Sequence, residues 1–290
     1  MTETTDSSSE PLPGSGPAEP DPGAGPAAQE AAEAGGTKRA ALREVAVLMV
    51  IAVALYYVIL TFVARPYLIP SESMEPTLHG CSGCVGDRIL VDKLSYACVP
   101  FTDRGWCFGS PQPGDVIVFK GPPSWNIGYK SIRSDNPVVR YLQNALALVG
   151  FVPPDENDLV KRVIAVGGQT VQCRNDTGLT VDGKRLREPY LNPKTMMADP
   201  SVYPCLGPEF GPVRVPPGRL WVMGDNRTHS ADSRAHCTSV PAEALKGILC
   251  TGDPKSGTVP VGNVIGKARL ILWPPSRWGL VRSINPQQNQ

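Results

Sequence analysis

Val45 to Ala64 reads VAVLMVIAVALYYVILTFVA, twenty residues without a charge. As a helix rising about 1.5 Å per residue it is about 30 Å long, the thickness of a bilayer's hydrocarbon core. Such a run sets the plan of the whole chain, because one segment lies in lipid and the rest must divide between its two sides. Lys38, Arg39 and Arg43 precede it closely, whereas Arg65 alone follows at once. Basic residues gather on the cytoplasmic side, so the N-terminus is expected in the cytoplasm and residues 66–290 outside the plasma membrane. A cleaved signal peptide starts in a short basic segment and ends at a small-x-small site. Here a long acidic tail comes first, and Phe62 is too bulky for the small-residue position before the end of the run. The run is therefore expected to be an uncleaved, single-pass anchor.

The two flanks differ in composition. Residues 1–37 hold seven acidic side chains, no Lys or Arg, and no aromatic residue, Val or Ile. Such a tail cannot bury enough apolar surface to offset chain entropy and is expected to be disordered. The net charge of +1 gives no reason to expect a nucleic-acid partner. All eight cysteines lie beyond the run: Cys81, Cys84, Cys98, Cys107, Cys173, Cys205, Cys237 and Cys250. An even number confined to one side of a membrane segment suggests disulfides in an oxidising compartment. Nearness along the chain suggests the pairs 81–84, 98–107, 173–205 and 237–250. Cys81 and Cys84 also have the spacing of a zinc pair, but no second C-x-x-C or histidine pair completes a set of four, so disulfides are the preferred reading.

Beyond the anchor the chain is dense in Pro and Gly, with short β-branched stretches. Residues 88–93, 116–120, 159–166, 178–181, 219–222 and 264–272 read as strands, separated by turn signals such as Asp182-Gly183 and Pro217-Gly218. One amphipathic helix is expected at 137–149, with Val138, Leu142, Ala145, Leu146 and Val149 on its apolar face. The predicted class is mainly β, a barrel or sandwich-like exterior domain on a single N-terminal transmembrane helix.

Three stretches carry candidate chemistry. Pro66 to Leu78 holds Ser71 and Ser73 between Pro70 and Pro76. A serine needs a base to become a nucleophile, and beside proline its ordinary role is to bond nearby backbone in a turn. Lys161 shares a strand face with the apolar Leu159, Val163 and Ala165. If that face is buried, desolvation lowers its pKa and lets a neutral amine serve as general base. Arg162, on the opposite face, is expected to extend to water. Gly224 to Arg234 packs two Asp, two Arg, two Ser, an Asn and a His into one loop, where Asp–Arg pairs can lock the backbone. A Ser-His-Asp set drawing on His229 or His236 with Asp225 or Asp232 is conceivable, but no G-x-S-x-G elbow is present.

Taken together these stretches resemble bacterial signal peptidase I, the membrane-bound Ser/Lys protease that removes signal peptides, in its actinobacterial form. Ile69-Pro70-Ser71-Glu72-Ser73-Met74-Glu75-Pro76 is similar to its nucleophile box and Gly114-Asp115-Val116-Ile117-Val118-Phe119 to its G-D strand. Val160-Lys161-Arg162-Val163 is similar to its general-base box, and the loop from Gly224 to Arg234 to its G-D-N box. The resemblance spans roughly residues 45–280 and implies a role for each matching residue. Ser73 would be the nucleophile, Lys161 the base, Ser230 the group that orients the lysine, and the Ser73 N–H with the Ser71 hydroxyl the oxyanion hole. Asp232 and Arg234 would form a structural salt bridge, Asp225 would support the loop, and pockets near Ile69, Pro70, Met74, Leu78 and Val160 would accept small side chains. It implies no metal or organic cofactor. The partners it implies are signal peptides of exported preproteins, the lipid bilayer and the secretion translocon.

The organisation expected on this basis is a tail and basic flank over 1–44, an anchor over 45–64, and a catalytic β domain over 65–169 and 219–281. A smaller β region is inserted at 170–218, and 282–290 form a C-terminal tail. Departures from the compact form are Glu72 between the serines, the segment 97–110 closed by Cys98 and Cys107, and the long connection 122–156. Trp106 and its apolar neighbours in segment 97–110 suggest that it dips into the headgroup region. Two rivals are a non-catalytic, disulfide-braced binding domain, in which Ser73 and Lys161 would not meet, and a relative dedicated to a single substrate.

Overall fold

The computed structural model describes residues 26–81, 83–99, 106–125, 133–148, 158–191, 204–237, 249–250 and 252–288. The tip of the 97–110 segment, including Phe101, the end of the 122–156 connection and the first 25 residues lie outside this set. Helix α1 (Pro26–Val58) contains most of the apolar run. Ala41–Val63, with a mean hydropathy of 2.7, is the one helix among the described residues long and apolar enough to cross a membrane. The helix starts inside the stretch read as disordered, because Pro26-Ala-Ala-Gln-Glu-Ala-Ala-Glu-Ala is built from strong helix formers that the low apolar content obscured. It ends in a π turn, Ile59–Val63, where the Ala64 N–H reaches back to the Ile59 carbonyl. Lys93 fixes this exit, donating from its backbone N–H to Val63 O at 2.9 Å and from Nζ to Thr61 O.

The remainder is dominated by antiparallel strands: β1 (Ala64–Leu68), β2 (Arg88–Asp92), β3 (Cys98–Val99), β4 (Trp106–Cys107), β5 (Val116–Lys120), β6 (Asp158–Val166), β7 (Thr170–Arg174), β8 (Gly178–Val181), β9 (Lys184–Arg185), β10 (Phe210–Arg214), β11 (Arg219–Met223), β12 (Val259–Pro260), β13 (Val264–Trp273) and β14 (Gly279–Leu280). An eight-stranded sheet runs β1-β2-β13-β5-β6-β11-β12, with β14 added to β13. β1 was not foreseen, because Pro66 argues against a strand. It is tolerated because β1 is the sheet's edge, where a missing N–H breaks no ladder.

Alternation along β5 shows how the sheet is buried on both faces. Val116 and Val118 join Ile69, Met74, Leu78, Ile89, Val91 and Ala268 in one cluster, while Ile117 and Phe119 join Trp125, Val163, Leu220 and Val222 in another. A third cluster links β6 and β11 to a second sheet, β10-β7-β8-β9, around Val171, Leu179, Phe210 and Trp221. The β8–β9 hairpin turns at Asp182 (φ 52°) and Gly183 (φ 79°), the left-handed pair that a tight two-residue hairpin requires. The cysteines pair as Cys81–Cys84, Cys98–Cys107, Cys173–Cys205 and Cys237–Cys250.

Helix α2 (Pro137–Leu148) is started by Asn136, whose Oδ1 accepts the Val138 N–H at 3.0 Å. Its apolar positions Val138, Leu142 and Leu146 are exposed rather than packed. The amphipathic pattern thus located the helix but not a core contact.

Candidate active site

The segment after β1 turns inward at Ile69 and makes one 3-10 turn, Glu72–Met74, that carries Ser73. Met74 and Leu78 anchor the turn from below with 1% and 0% exposure. Lys161 stands on β6, in register with Ile117 of β5, and is 4% exposed. Its Nζ lies 2.8 Å from Ser73 Oγ and donates to Val160 O at 3.0 Å. Burial pushes its pKa down to about 8, against the opposing pull of Asp232 and Asp225. The Ser71 hydroxyl donates to Ser73 Oγ at 3.2 Å, which puts a second donor beside the attacking atom. A buried amine that can lose its proton near neutral pH, touching a serine hydroxyl, is equipped for base-assisted nucleophilic attack.

The loop after β11 is tied at both ends by Asp232. Its Oδ2 accepts Gly224 N–H at 3.0 Å, and its Oδ1 accepts the Arg234 N–H at 3.1 Å. Burial alone would raise this carboxyl, but the Arg234 guanidinium at 2.8 Å and the Gly224 N–H outweigh it and hold the group below its ordinary value. The loop reaches the nucleophile through Asn226, whose N–H donates to Ser73 O at 3.1 Å. Gly224 sits where a Cβ would collide with Ser73 O and the Ser230 hydroxyl. Gly224→Ala is therefore expected to push the serine off the lysine and lower kcat by about 10²-fold, as misplacement on the ångström scale does. A thermal melt close to wild type together with the reduced kcat checks that the loss is one of position.

Ser230 departs from expectation. Its hydroxyl is shielded from solvent and meets no hydrogen-bond partner among the described residues, and the lysine's second contact is the Val160 carbonyl instead. The oxygen lies against Gly224, where an added Cβ would meet it. The five residues expected to line pockets also divide. Ile69, Met74 and Leu78 are at most 2% exposed and form the packing beneath the site, Val160 is half-buried, and Pro70 is exposed. The histidines are elsewhere engaged: His229 Nδ1 is 3.0 Å from Thr228 Oγ1, and His236 stacks on Trp125 at 4.4 Å.

Arg162 corrects the sequence reading outright. It does not extend to water but is 1% exposed, because β6 is covered on both faces. Its Nε and Nη2 bind Asp225 Oδ1 and Oδ2 at 2.8 and 2.7 Å, its Nη1 donates to Gly114 O at 2.8 Å, and its Cζ lies 4.1 Å from the centroid of the Tyr190 ring. Thr77 Oγ1 donates to the same carboxylate at 2.5 Å, so Asp225 joins the serine segment to the lysine strand. Glu188 pairs with Arg227, whose Nε donates to Gly224 O at 3.0 Å. Thr77, Glu188 and Tyr190 were missed, since nothing local in a single sequence marks an acid or a tyrosine as the far side of a buried arginine. The run of apolar neighbours on both sides of Lys161-Arg162 was the available signal for Arg162.

Residues 42–273 match the family described as signal peptidase, peptidase S26. Signal peptidase I of Mycobacterium tuberculosis strain H37Rv is 69% identical over 313 aligned positions, and the probable signal peptidase I of Mycobacterium leprae is 66% identical over 301. Both alignments cover all of this chain and all of the relative. Signal peptidase I of Bacillus amyloliquefaciens is 34% identical over 187 positions, covering 64% of this chain and 72% of that protein.

Proposed function

The chain belongs to the peptidase S26 family of signal peptidases, and we propose that Ser73 and Lys161 are the dyad with which it cleaves. It is a membrane-anchored serine endopeptidase that removes N-terminal signal peptides from exported preproteins. The observation that most supports the dyad is the 2.8 Å separation of Lys161 Nζ and Ser73 Oγ in a site from which water is largely excluded. It is also the contact that a non-catalytic binding domain would lack. Neutral Lys161 takes the hydroxyl proton as Ser73 Oγ attacks the scissile carbonyl. The developing oxyanion is held by the Ser73 N–H and the Ser71 hydroxyl, donors of a kind commonly worth about 3–4 kcal/mol each. The lysine returns its proton to the leaving amine, then activates water against the acyl-enzyme. The substrate lies extended, adding main-chain hydrogen bonds to a strand edge, and small side chains at the first and third positions before the cut fit the surface between Pro70 and Val160.

The cluster of Lys38, Arg39 and Arg43 supports a cytoplasmic N-terminus and a catalytic domain outside. In that orientation the lipid surface and the translocon that delivers the preprotein are its partners. The full chain in detergent is expected to cleave several unrelated preproteins after a small residue, as N-terminal sequencing of the products would report, at a rate unaffected by chelators. Cleavage of only one dedicated substrate would instead mark a specialised relative.

A further inference from the structure

Beside the catalytic segment, His79, Cys81 and Cys84 bring their ligand-type atoms within 4.8 Å of one another. Their loop is closed at its base, where His79 N–H donates to Asp87 Oδ2 and Asp87 N–H to His79 O, each at 2.8 Å. Arg277 clamps the same aspartate at 2.8 Å. Glu75 Oε1 lies 2.5 Å from His79 Nδ1. A carboxylate on one ring nitrogen, with the other left free, is how metal-ligating histidines are commonly oriented. Gly80, between the first two ligands, lies flat on the serine segment: a Cβ there would be 2.6 Å from both Ile69 O and Ser71 O.

The two sulfurs are joined in this structure, so a ligand set requires their release. The bond closes a ring only three residues apart in sequence, which restrains the unfolded chain little. Cys84 is exposed, whereas Cys173, Cys205, Cys237 and Cys250 are 1–5% exposed. An external dithiol can therefore reach this disulfide in preference to the buried ones. The exchange balances: the disulfide takes up two electrons and two protons and becomes two thiols, while the dithiol becomes a disulfide.

We propose that the dithiol form of this loop is a zinc(II) site. Cys81 and Cys84 bind as thiolates, His79 binds through Nε2, Glu75 orients the imidazole, and water fills the fourth position. Two thiolates on one tetrahedral zinc are about 3.8 Å apart, given Zn–S bonds of about 2.3 Å. The cysteine Cα atoms are 5.5 Å apart, so rotation of the two side chains suffices to open that gap. Soft thiolates with an imidazole and an open position select zinc over calcium or magnesium, which take oxygen ligands. Because the loop rests on Ile69 and Ser71, the site reads the thiol state at the edge of the oxyanion segment.

The test uses the full chain in detergent carrying Cys98→Ser and Cys107→Ser, which removes the other exposed pair. After reduction with a phosphine and desalting, zinc chloride is titrated against a chromophoric chelator. The reduced protein should bind a single zinc and release about two protons, and the unreduced protein should bind none. Adding Cys81→Ser and Cys84→Ser should abolish binding, His79→Ala should weaken it at least tenfold, and Glu75→Gln should weaken it about tenfold. Cobalt(II) should give the thiolate charge-transfer absorption of a tetrahedral site in the reduced protein alone. Absence of that absorption, no zinc uptake on reduction, or uptake that survives loss of both cysteines would overturn the proposal.

Discussion

Lys161→Met is expected to lower preprotein cleavage by about 10⁴-fold, the upper end of what a positioned general base contributes. Methionine keeps the length of the side chain in a slot that leaves 4% of the lysine exposed, so the fold is retained while the amine is lost. Among the described residues no other base stands ready, since the partners of Ser73 Oγ are Lys161 and the Ser71 hydroxyl, and His229 and His236 make their contacts elsewhere. Lys161→Arg should not rescue activity, because a guanidinium does not give up its proton in a protein. Ser73→Ala should be at least as severe, and it should abolish any acyl-enzyme, which mass spectrometry of rapidly quenched reactions of the two proteins checks. The pH profile supplies an independent check. A lysine pushed down to about 8 by burial makes the rate climb as the ammonium loses its proton and level off above that pH. A limb near 6.5 would point to a histidine, and one near 10.4 to a solvated lysine, so either would count against the dyad.

How much of this was legible in the sequence follows from which interactions are local. Strand β5 was foreseen at its observed bounds and β6 to within a residue, because β-branched runs flanked by Pro-Gly-Asp and similar turns specify themselves. The nearness pairing of the cysteines corresponds to the four bridges for the same reason, since each closes a segment of at most 32 residues. β7 was passed over because Thr170, Gln172 and Arg174 dilute its apolar face, and only the second sheet explains why Val171 and Cys173 are buried. At the site, residue types and the family's motifs pointed to the lysine and the serine, but not to the environment that makes them reactive. That environment is made by segments far apart in sequence, 88 residues between Ser73 and Lys161 and 63 between Arg162 and Asp225. Arg162 was misread for this reason: a strand's two faces can be assigned from its alternation, but whether the second face meets water is decided by what packs there.

Asp225→Ala carries the second large effect, and it tests whether that buried pair holds the site together. Removing one partner of a buried ion pair leaves the other charge without compensation, at a cost of about 3–5 kcal/mol. For a domain of this size that lowers Tm by about 6–20 °C. The cost should fall high in that range, because Arg162 is 1% exposed and the acceptors left to it, Gly114 O, Arg282 O and Thr77 Oγ1, are all neutral. The Tyr190 face still lies under the guanidinium, but such a contact is worth about 2 kcal/mol when desolvated and was already present in the wild type. Replacing both members, as Arg162→Met with Asp225→Leu, should recover much of the loss, since the attraction of a buried pair largely offsets its own desolvation. Calorimetry on the two single variants and the double therefore separates a paired charge from simple packing: equal and additive losses would mean the pair is not coupled. Activity adds a further distinction. Asp225 accepts Thr77 Oγ1 and thereby fixes the segment of Ser73 against the strand of Lys161. The double variant, although stable again, should stay well below wild type in kcat, because an apolar pair restores the core without restoring the hydrogen bond that sets the serine's position.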